Sequence, residues 1–110
     1  MLIDPDKIEE TALMNFKGGE GELDTRNFVD AKNKIMFSRL KAGASSGMHQ
    51  HVQNSEIVYI VKGVATFLYD DEIETVMAGQ VHYCPEGHRH SMLNKTDEDL
   101  VYFAVVPEHH

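Results

Sequence analysis

Short stretches rich in β-branched and aromatic residues recur along the chain: KIMFSRL at 34–40, EIVYIV at 56–61, VATFLYD at 64–70, IETVM at 73–77 and DLVYFAVV at 99–106. Each has the length and composition of a strand. Between them stand Lys62-Gly63, Asp70-Asp71-Glu72, Ala78-Gly79 and the cluster at 94–97, all of it turn chemistry. Many short strands joined by close turns point to an all-β sandwich or barrel. Helical periodicity is weak except at the start, where Asp4 could cap and Pro5 could open a short helical turn ahead of Ile8 and Leu13. The run Lys17-Gly18-Gly19-Glu20-Gly21 reads as a loop. With no strand expected before it and no apolar helix after it, it does not form a phosphate cradle.

A chain of 110 residues is one domain's worth of sequence, so a single domain over 1–110 is expected. Its formal charge of −8 repels phosphate backbones, and the ten Lys and Arg are scattered, which argues against nucleic acid and anionic membranes. Small molecules and further copies of the chain are the partners to expect. The one cysteine, Cys84, cannot close an internal disulfide, and the start MLIDPDKIEE lacks a basic region followed by an apolar run, so a cytoplasmic protein is expected. The longest apolar run, at 101–106, falls far short of the roughly 20 residues that span a bilayer. His109 and His110 fit a native tail or the stub of an expression tag equally well, and they are left out of the site.

Two glycine-punctuated segments, GASSGMHQHVQNSEIVYIVKG at 43–63 and GQVHYCPEGHRHSMLN at 79–94, carry the chemistry. On a strand, alternation points His49 and His51 the same way, so two imidazoles converge. Glu56 can return beside them if the chain turns through Val52-Gln53-Asn54-Ser55, and His90 can supply a third nitrogen from a later strand. Neutral imidazoles with one carboxylate suit one divalent transition metal per subunit, Fe, Mn, Ni, Cu or Zn. Four protein ligands on an octahedral ion leave two positions for water, oxygen or a bidentate ligand. A closed structural zinc site would want cysteines, and Cys84 alone does not supply them.

These segments resemble the two motifs of the cupin superfamily. Gly43, His49, His51, Glu56 and Gly63 follow the first, with five, one, four and six residues between them. Gly79, Pro85, Gly87, His90 and Asn94 follow the second, with gaps of five, one, two and three. The resemblance implies a double-stranded β-helix, a small jelly-roll barrel, with a metal held inside by His49, His51, Glu56 and His90. It brings no single reaction with it, because the superfamily spans dioxygenases, decarboxylases, isomerases, lyases and binding domains.

Alternation from Glu56 places Val58 and Ile60 inside the barrel and Ile57, Tyr59 and Val61 outside. An apolar outer stripe calls for cover by the N-terminal segment or a second subunit, and a homodimer is expected. Ahead of Pro85, either His82 and Cys84 or Val81 and Tyr83 line the barrel. His88 sits in the turn at 85–87 and is expected at the rim. Met36, Phe67, Met92 and Phe103 are the expected pocket wall, with Tyr59, Tyr83 and Tyr102 depending on register, and Arg39 and Arg89 are the cations considered for gripping an anion. The leading expectation is a metal-dependent enzyme of oxygenase, isomerase or lyase type acting on a small polar organic molecule. His82, His88, Tyr59 and Tyr83 are its candidate bases. The alternative is a non-catalytic sugar- or metabolite-binding module.

Overall fold

All five stretches picked out for their β-branched content are strands in the computed structural model, which describes residues 1–110. In chain order the strands are β1 (Thr11–Met14), β2 (Glu22–Val29), β3 (Asn33–Leu40), β4 (His49–Gln50), β5 (Glu56–Lys62), β6 (Val64–Tyr69), β7 (Glu72–Met77), β8 (Val81–Cys84), β9 (Arg89–Leu93) and β10 (Leu100–Pro107). They form a six-stranded sheet in the order β1-β2-β3-β10-β5-β8 and a four-stranded sheet in the order β4-β9-β6-β7. Every strand pairing is antiparallel, as a jelly-roll requires.

The two sheets face each other across one apolar core. Leu23, Met36, Leu40, Val58, Ile60 and Leu100 come from the larger sheet, and Ala65, Phe67, Val76 and Met92 from the smaller. Phe67 and Ile60 are fully buried, and burial of side chains this size contributes roughly 1.5–3 kcal/mol each. Period-2 alternation sets the faces: β5 buries Glu56, Val58 and Ile60 and exposes Ile57, Tyr59 and Val61, as alternation from Glu56 predicts. Gly63 turns β5 into β6 with φ +95°, and a Cβ there would stand 3.3 Å from the Asp99 carbonyl oxygen, so glycine answers to both backbone conformation and space.

Two sequence expectations need correction. A strand does precede the Lys17–Gly21 loop: β1 runs over Thr11–Met14, and β2 over Glu22–Val29 follows. β1 buries none of its residues and is defined by pairing to β2 rather than by an apolar face, so hydropathy carried no sign of it. Phe103 points outward, packed against Phe37 with ring centroids 5.1 Å apart and planes tilted by 52°, while its neighbours Tyr102 and Ala104 are buried. The start of the chain forms only the one-turn helix Pro5–Lys7, with the Asp4 side chain accepting from the Asp6 amide.

Candidate metal centre

His49 leaves β4 and His90 faces it from β9, paired Cα to Cα. β4 ends at Gln50, so His51 is aimed by loop backbone rather than by strand alternation: its amide donates to the His88 carbonyl, and Gln53 adopts φ 62° to turn the chain back. Glu56 opens β5 and completes the group. One ligand atom from each of His49, His51, Glu56 and His90 lies within 4.8 Å of all the others. The side chains are buried or nearly so, at 19%, 7%, 11% and 3% exposure respectively.

The outer nitrogen of each imidazole is committed to an acceptor, and this fixes what the inner nitrogen can do. His49 Nδ1–H donates to the Gly47 carbonyl at 2.7 Å. His51 Nδ1–H donates to Asn54 Oδ1 at 2.8 Å, and Asn54 is oriented by its own Nδ2, which donates to Glu108 at 3.4 Å. His90 Nδ1–H donates to His82 Nε2 at 2.9 Å, and His82 Nδ1–H donates to Glu74 Oε1 at 2.8 Å. All three Nε2 atoms therefore turn lone pairs inward. His51 and His90 Nε2 stand 3.0 Å apart, His90 and His49 Nε2 3.1 Å, and Glu56 Oε1 lies 2.9 Å from His90 and 3.2 Å from His51. Lone pairs packed this closely need a proton or a cation among them, and a buried set of three imidazoles and a carboxylate has the chemistry of a transition-metal site.

The electrostatics of the ion-free group agree. Burial works against the Glu56 charge, yet the His51 and His90 imidazoles beside it hold its carboxyl at about 2. Burial also opposes charge on His51, but Glu56 and Asn54 outweigh it and the pKa is raised. Burial lowers His49 and His82 below the ordinary histidine range.

A cavity of about 290 Å³ opens onto His49, His51 and Glu56, with Met36, Tyr102 and Val106 on one wall and Phe16 and Lys17 on the loop above. Lys34 and Glu108 also line it. These two lysines are the cations that the sequence reading missed. Lys34 shares the inward face of β3 with Met36, two residues on, and that spacing could have flagged it; Lys17 sits in a glycine-rich loop with no periodic signal. Arg39 is instead bound to Glu10 at 2.8 Å on the outer face, and Arg89 is exposed beside Asp71 at 3.6 Å.

The four candidate bases are dispersed. Tyr59 and Tyr83 lie on the outer face of the larger sheet, 42% and 53% exposed, because each sits one residue out of phase with its strand's buried positions. His82 lies inside with Cys84, resolving the alternation of β8, but it stands behind His90, stacked on Phe67 at 3.7 Å. His88 is at the rim, bound to Asp70 at 2.6 Å and stacked on Tyr69. None of the four lines the cavity.

Comparison with known proteins agrees with this architecture. The model of the cupin domain family matches residues 36–106. A protein of Thermotoga maritima named an oxalate-binding protein is 30% identical over 112 residues, 96% of this chain and 93% of its own. A solved Thermotoga maritima structure described as a predicted oxalate decarboxylase superposes with a TM-score of 0.91 at 27% identity, covering 98% of this chain and 99% of that one. A sugar phosphate isomerase of the cupin superfamily from Silicibacter pomeroyi shares the fold, with a TM-score of 0.80 at 20% identity over 98% of this chain and 76% of its own.

Proposed function

This chain is a small single-domain cupin, and we propose that it holds one divalent transition metal through His49, His51, Glu56 and His90 and captures a small carboxylate anion at the ion's open positions. The observation that carries this reading is the convergence of three inward imidazole lone pairs and the Glu56 carboxylate at the floor of a cavity that also presents Lys17 and Lys34. Fe(II), Mn(II), Ni(II), Cu(II) and Zn(II) all accept such a donor set. When bound, the ion would supply Lewis acidity toward a ligand carboxyl group. The chain's own residues do the rest. Gly47, Asn54 and His82 fix the three imidazoles, Phe16 and Met36 restrict water, and two ammonium groups offset a net charge of −8 where the anion enters. A cavity of about 290 Å³ suits a small molecule, and the likeness to proteins named for oxalate supports a short dicarboxylate of that kind.

Capture without turnover is supported by the absence of His82, His88, Tyr59 and Tyr83 from the cavity wall. A second reading, metal-dependent turnover of the same anion, draws support from Glu108, the one lining carboxylate besides Glu56. Elemental analysis and calorimetric titration with oxalate test both. We expect about one metal per subunit, lost in His49→Ala, and oxalate binding weakened in Lys17→Gln/Lys34→Gln with its metal content unchanged. Protein that takes up no metal after anaerobic reconstitution would refute the proposal. Product formed on long incubation, and abolished by Glu108→Gln, would establish the enzyme instead.

The outer stripe of Ile57, Tyr59 and Val61, flanked by Val81 and Tyr83, supports a homodimer through the larger sheet, and light scattering showing a monomer at micromolar concentration would exclude it. A free, buried Cys84 supports a reducing, cytoplasmic setting. No helix is long and apolar enough to cross a membrane.

A further inference from the structure

Of the three inward imidazoles, His90 is held differently from the others. His49 and His51 donate their outer N–H groups to neutral oxygens, a backbone carbonyl and a side-chain amide. His90 donates to another histidine, and that histidine donates to a carboxylate. We propose that Glu74 and His82 are a positioning pair for His90: the Glu74 carboxylate fixes the tautomer of His82, and His82 in turn holds the Nδ1–H of His90, with its Nε2 aimed at the centre.

The geometry leaves one consistent proton arrangement. An ionised carboxylate only accepts, so His82 must carry its proton on Nδ1, 2.8 Å from Glu74 Oε1. A neutral His82 then has only a lone pair on Nε2, and His90 must place its own proton on Nδ1, 2.9 Å away. What remains on His90 is Nε2, turned away from His82 toward the centre, 2.9 Å from Glu56 Oε1 and 3.0 Å from His51 Nε2.

Packing prevents the relay from rearranging. The His82 side chain is fully buried, stacked on Phe67 at 3.7 Å and 16° and parallel to His90 at 5.1 Å and 22°. A flipped ring would clash with these faces or lose both hydrogen bonds. The Glu74 side chain, by contrast, is 38% exposed on β7, so it can be changed without opening the core. Without Glu74, nothing stops His82 from carrying its proton on Nε2, which would face the His90 N–H and force His90 to turn a proton toward the centre. The role rests on the metal reading above only in its consequence, since the proton arrangement belongs to the ion-free protein as well. Partners of this kind alter metal affinity by about 10–100-fold when removed.

The test uses nitrogen-15 NMR of the histidine rings in wild type, Glu74→Ala and Glu74→Gln, followed by Zn(II) titration against a competing chelator. In ion-free wild type, His82 should show a protonated Nδ1 and an unprotonated Nε2, and His90 a protonated Nδ1. Glu74→Ala should lose this single-tautomer signature and bind Zn(II) about 10–100-fold more weakly. Glu74→Gln, whose amide oxygen still accepts, should restore the tautomer and most of the affinity, which a merely structural role would not predict. A protonated His82 Nε2 in wild type, or a His82 tautomer unchanged in Glu74→Ala, overturns the inference, and the wild-type spectrum decides even if a variant fails to fold. If the tautomers are as stated but wild type takes up no Zn(II), the positioning role stands and the metal reading fails.

Discussion

Substituting Gly47 tests whether the loop over the cavity and the segment that carries His49 are one tightly fitted unit. A Cβ at Gly47 would lie 1.8 Å from the Lys17 carbonyl oxygen and 2.6 Å from its carbon, where real Cβ contacts begin near 3.0 Å. Its backbone is not left-handed, so the obstacle in Gly47→Ala is space alone. Relief requires the loop to withdraw, which strains two hydrogen bonds that join the same stretches, Gly47 N–H to Phe16 O at 2.9 Å and Ser45 N–H to Glu20 O at 2.8 Å. Overpacking costs about 1–3 kcal/mol, and each of the two weakened bonds adds about 1 kcal/mol, so a loss of about 3–5 kcal/mol is expected. The comparison is Gly43→Ala, where φ is +75° and nothing lies within 4 Å, leaving only a left-handed backbone cost of roughly 1–2 kcal/mol. For a chain of this length, 1 kcal/mol corresponds to about 4 °C in Tm. Thermal melts should therefore place Gly47→Ala about 12–20 °C below wild type and Gly43→Ala about 4–8 °C below. Because the Gly47 carbonyl also holds His49, Gly47→Ala should in addition weaken Zn(II) uptake. If Gly47→Ala melts no lower than Gly43→Ala, the close approach is not a constraint and the reasoning is wrong.

His51 has a raised pKa in the ion-free protein, so the stability its proton provides is fully present below the unfolded value near 6.5 and is lost as pH rises through the higher folded value. A metal must displace that proton, so Zn(II) affinity should fall about tenfold per unit as pH drops below the folded value, and a flat profile over about pH 5 to 8 would refute the assignment. Glu56, held at about 2 against 4.5, stabilises the ion-free fold above 4.5, and this contribution should vanish as pH falls toward 2; urea melts that show no loss across that window would count against it. Burial pushes the Cys84 thiol up to about 12, so alkylating reagents should label it only on unfolding, and rapid labelling of native protein would contradict its place in the core.

The site was more legible than the barrel around it. Three imidazoles and a carboxylate at fixed spacing name their own chemistry, and the grouping of His49, His51, Glu56 and His90 follows the spacing although His51 reaches it through a loop. β3, β5, β6, β7 and β10 announced themselves because a buried face demands β-branched and aromatic residues. β1 and β2 did not: β1 has no buried residue, and β2 buries Asp24 and Thr25 beside Leu23, with Asp24 bound to Lys41 at 3.3 Å. Phe103 was misplaced because every position in DLVYFAVV but the first is apolar or aromatic, so hydropathy has no phase there, and only pairing with Met36 and Val58 at Ala104 sets it. Lys17, Glu74 and Glu108 reach the site only through contacts across the fold, which local sequence does not encode.

The last strand has a consequence for the order in which the molecule is made. β10 lies between β3 and β5, and no other strand joins them: Leu100 pairs with Leu40, Pro107 with Asn33, and Ala104 with Val58 on the other side. Until β10 arrives, the larger sheet is two fragments, β1-β2-β3 and β5-β8, each with a bare edge. A nascent chain still lacking this strand can form hairpins but not the barrel, and its histidines wait without a closed cavity. Folding is therefore a late, long-range event, slow by the measure of contact order, and a chain cut before Leu100 would expose two open sheet edges to aggregation.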